Sequence, residues 1–405
     1  MKTRPPTAEF AEGPPLRQLG KNLVEVGGER LLYFAGCDYF RFASHPAILQ
    51  AIRDALRPGG LNVAASRLTT GNDPRYREAE LLVAEFFGVA DALLLSSGYV
   101  TNLVVAQALA GEVTHAFADE RAHVCLTDAA KFLQCPLIPF PHRQTAGLAL
   151  LLKQLPASAR PLVMTDGMFA RDGAVAPLAE LLAALPRRGW LLVDDAHGAG
   201  TLGASGRGTP EHCGVRDARL IQTLTFSKAF GVYGGAVLCP PGLRQRLAAG
   251  SHLFGGSTPL PLPLLAGVLA ALEAMRQDGS ARRVKLQANA ALIREKLRQA
   301  GHPASDGPGP IFPFHPSLPQ TCRSRREEAS SEREPKPPHI GSYKGEERAN
   351  QALRRRLTQA GIYPSFIRYP GGPVQGYFRF VISSEHTRAQ LVRLADALAG
   401  PPVLH

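Results

Sequence analysis

The sequence predicts an α/β protein: a larger lobe built on a mostly parallel sheet, followed by a smaller α+β C-terminal lobe. Three stretches carry this. In Gly189-Trp190-Leu191-Leu192-Val193-Asp194-Asp195-Ala196-His197-Gly198, four apolar residues run into two carboxylates and a histidine. A continuous apolar run marks a strand buried on both faces. Its C-terminal end delivers polar groups to the crevice where open α/β sheets bind ligands. Asp91-Ala92-Leu93-Leu94-Leu95-Ser96-Ser97-Gly98-Tyr99-Val100-Thr101-Asn102 reads as strand, turn and helix start. Thr223-Leu224-Thr225-Phe226-Ser227-Lys228-Ala229-Phe230-Gly231-Val232-Tyr233-Gly234-Gly235 sets one lysine among small and apolar residues, with glycines close behind.

The lysine suggests the chemistry. A desolvated ammonium has a lowered pKa, which frees the amine for Schiff-base formation. Hydroxyls at Thr223, Thr225 and Ser227 could hold a phosphate beside it. A lysine that snorkels out of a strand end is the structural alternative. Asp194 and His197 weigh against it, because pyridoxal 5'-phosphate needs a carboxylate to hold its ring-nitrogen proton and so make the ring an electron sink. The backbone N–H groups of Gly98 and Tyr99, at a helix N-terminus, would suit the phosphate.

In chain order, residues 1 to about 30 are rich in Pro and Gly and read as an arm, and Leu31–Ala35 as a short strand. His45-Pro46 opens an amphipathic helix through Leu56, and Glu78–Phe87 is a second helix. Gly198-Ala199-Gly200-Thr201-Leu202-Gly203 has the spacing of a dinucleotide-binding turn, but loop residues follow where that fold needs a helix, which excludes the nicotinamide reading. A long helix begins near Leu260 and leads into the smaller lobe. Asn350–Ala360 is helical, and Ile362–Arg368 and Gly376–Thr387 read as strands ending at a helix N-cap. Pro316–Gly341, rich in Arg, Glu, Ser and Pro, reads as a solvated insertion. The expected divisions are an arm and short strand (1–45), a large cofactor-binding domain (46–255) and a small domain (256–405).

Composition narrows the class. The 405 residues are 45% hydrophobic and 20% charged, ordinary for a globular enzyme. The net charge is +12, yet no basic run interleaved with aromatics suggests a nucleic-acid surface. The charge reads as a general surface property or as attraction for an anionic substrate. Six cysteines show neither paired nor metal-ligand spacing, so no metal site is expected and a reduced cytoplasmic setting fits. No signal core follows Met1, and the longest apolar run is too short to span a bilayer, so no membrane association is expected.

Several motifs together resemble the α-oxoamine synthase family of fold-type I pyridoxal-phosphate enzymes. Gly36-Cys37-Asp38-Tyr39-Phe40-Arg41-Phe42 is similar to the family's Asn-Asp-Tyr-Leu-Gly-Leu segment, with Cys37 for asparagine and Arg41 for glycine. Ser66-Arg67-Leu68-Thr69-Thr70-Gly71 resembles its Ser-Arg-Leu-x-x-Gly loop, with Tyr76 at a usual histidine. Asp119-Glu120-Arg121-Ala122-His123-Val124-Cys125 resembles Asp-x-x-x-His-Ala-Ser. Asp166-Gly167-Met168-Phe169-Ala170-Arg171-Asp172-Gly173 resembles Glu-Gly-x-x-Ser-Met-Asp-Gly, with Asp166, Ala170 and Arg171 replacing glutamate, serine and methionine.

The resemblance implies a seven-stranded-type sheet and a homodimer. It implies that Lys228 carries the cofactor, Asp194 holds its ring nitrogen, His197 bonds its phenolic oxygen and His123 covers a ring face. Gly98, Tyr99 and Thr225 would hold the phosphate, joined by Ser257 or Thr258 from the partner subunit. Arg379 would grip the amino-acid carboxylate bidentately, and the freed Lys228 amine would act as general base. The reaction implied is decarboxylative condensation of an amino acid with an acyl-CoA; the member resembled most uses L-alanine and pimeloyl-CoA in biotin synthesis. Because of the departures, a glycine- or serine-using synthase and an aminotransferase on the same scaffold stay open as alternatives.

Overall fold

β1 (Arg17–Gly20), β2 (Leu23–Val26) and β3 (Glu29–Leu32) form an antiparallel three-stranded sheet. The second hairpin turns at Gly27 and Gly28, with φ of 58° and 85°. A two-residue turn with positive φ at both positions matches the twist of the flanking strands. From Arg17 onward, the expectation of an arm is therefore corrected to a small sheet, whose short strands the Pro- and Gly-rich composition hid. The structure, a computed structural model, describes residues 13–20, 22–304, 307–316, 340–368 and 376–400. Residues 317–339 of the polar insertion lie outside the described residues.

The central sheet has seven strands: β4 (Asp91–Leu95), β5 (His115–Asp119), β6 (Leu137–Phe140), β7 (Pro161–Asp166), β8 (Trp190–Asp194), β9 (Leu220–Thr225) and β10 (Gly235–Cys239). Their order is β4-β10-β9-β8-β7-β5-β6, and β10 runs antiparallel to both neighbours. Successive side chains point to opposite faces. Leu192 packs into one buried cluster while Leu191 and Val193 pack into another. Helices cover both faces, so the apolar runs have no solvent side. The loops after β4, β7, β8 and β9 leave the same edge of the sheet.

Asp73 caps the second helix, accepting from the Arg75 N–H with Pro74 in the first turn. This moves the helix start to Pro74, ahead of Glu78, since proline tolerates that position. The long helix runs Leu262–Gln299 and packs against Pro46–Gly59 and Arg388–Ala399. Beyond it, β11 (Ile311–Phe314), β12 (Phe366–Ile367) and β13 (Tyr377–Val381) form a sheet in the order β11-β13-β12. The helix expected from Asn350 begins earlier, at Ile340. Thr387 and Gln390 form a capping box that starts the last helix. Leu32 and Phe34 join the core of this lobe. Among the described residues no helix is long and apolar enough to cross a membrane.

Arg41, at the position of a glycine in the resembled motif, keeps left-handed backbone with φ 57°. Its Nε donates to Asn22 Oδ1 at 2.6 Å, which offsets part of the strain.

Candidate active site

Asp194 ends β8 and is buried. Its Oδ2 accepts from Asn102 Nδ2 at 2.7 Å and from the Cys125 thiol at 2.9 Å, and its Oδ1 accepts from the Ala196 N–H at 3.1 Å. Thr223 Oγ1 donates to Asn102 Oδ1 at 2.8 Å, which fixes the amide. These donors compensate the desolvation of a buried carboxylate. Neighbouring Asp195 faces away from this group, because side chains alternate along a strand. It accepts from Thr209 and Gln222, and burial pushes its pKa up to about 7.

Lys228 follows β9 in a loop closed by hydrogen bonds from the Phe226 N–H to Gly234 O (2.9 Å) and from the Gly231 N–H to Lys228 O (3.0 Å). Its Nζ lies 2.9 Å from His197 Nε2, and His197 Nδ1 lies 2.7 Å from the Tyr39 hydroxyl. Burial, reinforced by the Lys228 and Arg379 charges, holds the His197 pKa well below its ordinary value. The ring is therefore neutral at pH 7, donating through one nitrogen and accepting through the other.

His123 caps the helix Val124–Ala130, and its N–H donates to Asp166 Oδ1 at 2.9 Å. Burial lowers its pKa as well, with the Lys228 charge adding to the effect. Asp166 stands beside Asp194 across β7 and β8; burial and that neighbouring charge raise its pKa well above the carboxylate range. His123, Cys125 and Asp194 each bring a ligand-type atom within 4.8 Å of the others. Burial and the charge of Asp194 push the Cys125 pKa far up, so the sulfur is a protonated donor where a metal would need thiolate.

A cavity of about 140 Å³ gathers Gly98, Tyr99, His123, Asp194, His197, Thr225 and Lys228 in its walls. Gly98 begins a twelve-residue helix that has no side-chain cap at its N-terminus. A Cβ there would stand 2.5 Å from Thr225 Cβ, so only glycine allows this approach. An adjoining cavity of about 290 Å³ shares His123, Asp166, His197 and Lys228, and is also lined by Cys37, Arg121, Ala170, Arg171, Tyr377 and Arg379. Arg379 comes from β13 in the C-terminal lobe, with Nη2 3.2 Å from Cys37 Sγ.

Ser257 and Thr258 lie in neither cavity. Both are exposed, and Ser257 Oγ donates to Leu253 O at 2.5 Å. Tyr76 also lies apart, buried and donating to Leu260 O at 2.7 Å. Sequence reasoning missed Tyr39, Asn102 and Cys125 as members of the site. The available signal for Asn102 was its place one turn after Gly98, on the same face of a helix that starts at the site.

These residues fit pyridoxal phosphate. A buried carboxylate suits the ring nitrogen and a primary amine in the same cavity suits the aldehyde. An uncapped helix N-terminus beside threonine and serine hydroxyls suits the phosphate.

Comparison with known proteins agrees. Residues 37–398 match the family described as aminotransferase class I and II. The 8-amino-7-oxononanoate synthase of Nitrosomonas europaea is 36% identical, over 93% of this chain and 90% of its own. That of Stutzerimonas stutzeri is 33% identical over 98% and 92%. Among solved structures, the Sphingomonas wittichii serine palmitoyltransferase superposes with a TM-score of 0.80 at 23% identity, covering 95% of this chain and 90% of that one. The Francisella tularensis 8-amino-7-oxononanoate synthase gives 0.71 at 23%, covering 90% and 96%. At these identities the structural likeness speaks for the fold.

Proposed function

The chain belongs to the aminotransferase class I and II family, as a pyridoxal-phosphate-dependent α-oxoamine synthase. From that premise we propose that it condenses L-alanine with pimeloyl-CoA, releasing CoA and carbon dioxide and forming 8-amino-7-oxononanoate for biotin synthesis. The observation that carries the proposal is the pair of adjoining cavities. One gathers Lys228 and Asp194, and the other adds Arg379 beside the same lysine.

Bound pyridoxal phosphate supplies an aldehyde for primary amines and a ring that accepts the electrons released at the amino acid's α-carbon. The chain does the rest. Asp194, fixed by Asn102 and Cys125, would present its carboxyl group to the ring nitrogen. The first-turn N–H groups at Gly98 and Tyr99, with Thr225, would hold the phosphate. His123 would cover one face of the ring, and His197, whose Nδ1 is held by Tyr39, would donate to its phenolic oxygen through Nε2. Arg379 grips the substrate carboxylate as a planar fork and so sets the orientation of the bonds at the α-carbon. Lys228 Nζ, once freed, takes the α-proton.

The homodimer belongs to this reading. Leu61 and Leu68 are 64% and 58% exposed, large values for leucines on a lone subunit. Ser66, two residues from Leu68, donates to Gly255 O, just before Ser257 and Thr258. Such a surface suits a second copy whose phosphate site receives one of those hydroxyls.

The test is to incubate the loaded enzyme with alanine, glycine or serine, with and without pimeloyl-CoA. Release of thiol and carbon dioxide with alanine and pimeloyl-CoA supports the proposal. Keto-acid formation without thiol release would instead show an aminotransferase. Thiol release with glycine or serine in place of alanine would show a different oxoamine synthase.

A further inference from the structure

Arg171 is a cavity-lining cation that the chemistry above leaves unused. It sits in the loop after β7, which bonds from the Phe169 N–H to Ala174 O (2.8 Å) and from the Gly173 N–H to Phe169 O (2.9 Å) hold in a tight turn. Gly173 takes φ +71°, and Asp172 Oδ1 accepts from the Ala174 N–H at 3.0 Å. The guanidinium is therefore carried on a fixed support. It lines the cavity of about 290 Å³ that also contains Lys228 and Arg379. Its charge lies 5.7 Å from the centre of the Tyr377 ring.

Among the described residues no carboxylate lies within ion-pair distance of Arg171. Asp172 turns to Arg121 at 4.0 Å, Glu120 is exposed, and Asp166 accepts from the His123 N–H at 2.9 Å. A half-buried guanidinium that lines a cavity and has no carboxylate at ion-pair distance among the described residues suits an anionic ligand. Arg379 already serves the amino-acid carboxylate in the reading above. The family motif has methionine at position 171, so the charge is a feature of this chain.

We propose that Arg171 binds a second carboxylate at the far end of the acyl chain, making it the residue that selects dicarboxylic acyl thioesters over plain ones. This rests on the synthase reading and deepens it. A carboxylate and the phosphates of CoA share the chemistry that an arginine recognises. The cavity holds the reacting end of the thioester, whereas the phosphates lie at the far end of the pantetheine arm, which favours the acyl carboxylate.

The test uses the pyridoxal-phosphate-loaded enzyme with saturating alanine. It compares kcat/KM for pimeloyl-CoA and heptanoyl-CoA, which have the same carbon count and differ by the terminal carboxylate. Losing one charge-assisted hydrogen-bonded pair predicts that Arg171→Met lowers the pimeloyl-to-heptanoyl ratio about tenfold, mainly through KM for pimeloyl-CoA. Arg171→Lys should retain part of the preference, which separates loss of charge from loss of fold. The matching pantetheine thioesters, which lack the CoA phosphates, should show the same dependence on Arg171.

An unchanged ratio in Arg171→Met overturns the inference. So does an equal loss on both CoA thioesters with none on the pantetheine pair, which would assign Arg171 to the phosphates. If the unsubstituted enzyme exchanges the α-proton of alanine yet releases thiol from no thioester, the synthase reading itself fails and takes this inference with it. Thiol release from both thioesters without preference overturns this inference alone.

Discussion

The floor and the mouth of the site are built on different terms. On the floor, Asp194 has three donors, Asn102 is tied to Thr223, and His197 bridges Tyr39 and Lys228. The polar groups there are paired within the chain and carried on strand ends and a helix start. At the mouth, Arg379 meets a thiol and Arg171 meets an aromatic ring. Three of the positions that depart from the family motifs, Cys37, Ala170 and Arg171, line the mouth alone, whereas Asp166 and Cys125, at a glutamate and a serine of the motifs, reach the floor cavity. Preorganised electrostatics belong where charge develops during reaction, and adaptable contacts belong where substrates differ. On this contrast, the proposed reading puts the chemistry on the floor and substrate choice at the mouth.

Replacing floor residues should lower turnover whatever the thioester. On the proposed reading Lys228→Ala removes both the cofactor's anchor and the base, so alanine α-proton exchange should fall at least about a thousandfold. Deuterium exchange followed by NMR measures it, and near-normal exchange would break the division. Asn102→Ala removes a charge-assisted donor from Asp194 and should weaken cofactor binding by about ten- to a hundredfold. A spectroscopic titration with pyridoxal phosphate would read the shift; unchanged affinity would make Asn102 a packing residue only.

Acid separates the regions next. His197 is buried and neutral in the folded chain, with its pKa far below that of the unfolded chain. His386, in the C-terminal lobe, is pushed down to about 3. Below an unfolded pKa of about 6.5 the unfolded chain takes up these protons first. Both histidines then contribute stability that is fully present above pH 6.5 and lost as pH falls toward the folded values. The loss is at most about 1.4 kcal/mol per pH unit for each. Melting temperatures between pH 7 and 5 should fall, and His386→Gln should flatten the slope. A slope that steepens in His386→Gln would reverse the sign of the argument.

The smallest effect belongs to the mouth. Cys37→Asn restores the family residue beside Arg379 and should alter KM for alanine by less than about tenfold, in line with one neutral hydrogen bond. Loss of α-proton exchange in this variant would move Cys37 to the floor.

The floor was legible where its chemistry lies in one continuous stretch. Asp194 and His197 sit three residues apart after an apolar strand, and Lys228 stands out among small residues. Tyr39 and Asn102 were harder to see because their partners lie 158 and 92 residues away, and only the folded sheet brings them together. Cys125 read only as the end of a matched motif, because a serine-like donor role for a thiol depends on the buried carboxylate beside it. The small N-terminal sheet was missed because four-residue strands between glycines and prolines leave too short an alternation to read.

The most direct test is borohydride reduction of the chain incubated with pyridoxal phosphate, followed by peptide mass spectrometry. The account predicts a yellow protein whose absorbance band is lost on reduction, with a stable pyridoxyl mass on Lys228. A chain that stays colourless, or carries the label on other lysines in place of Lys228, would contradict it.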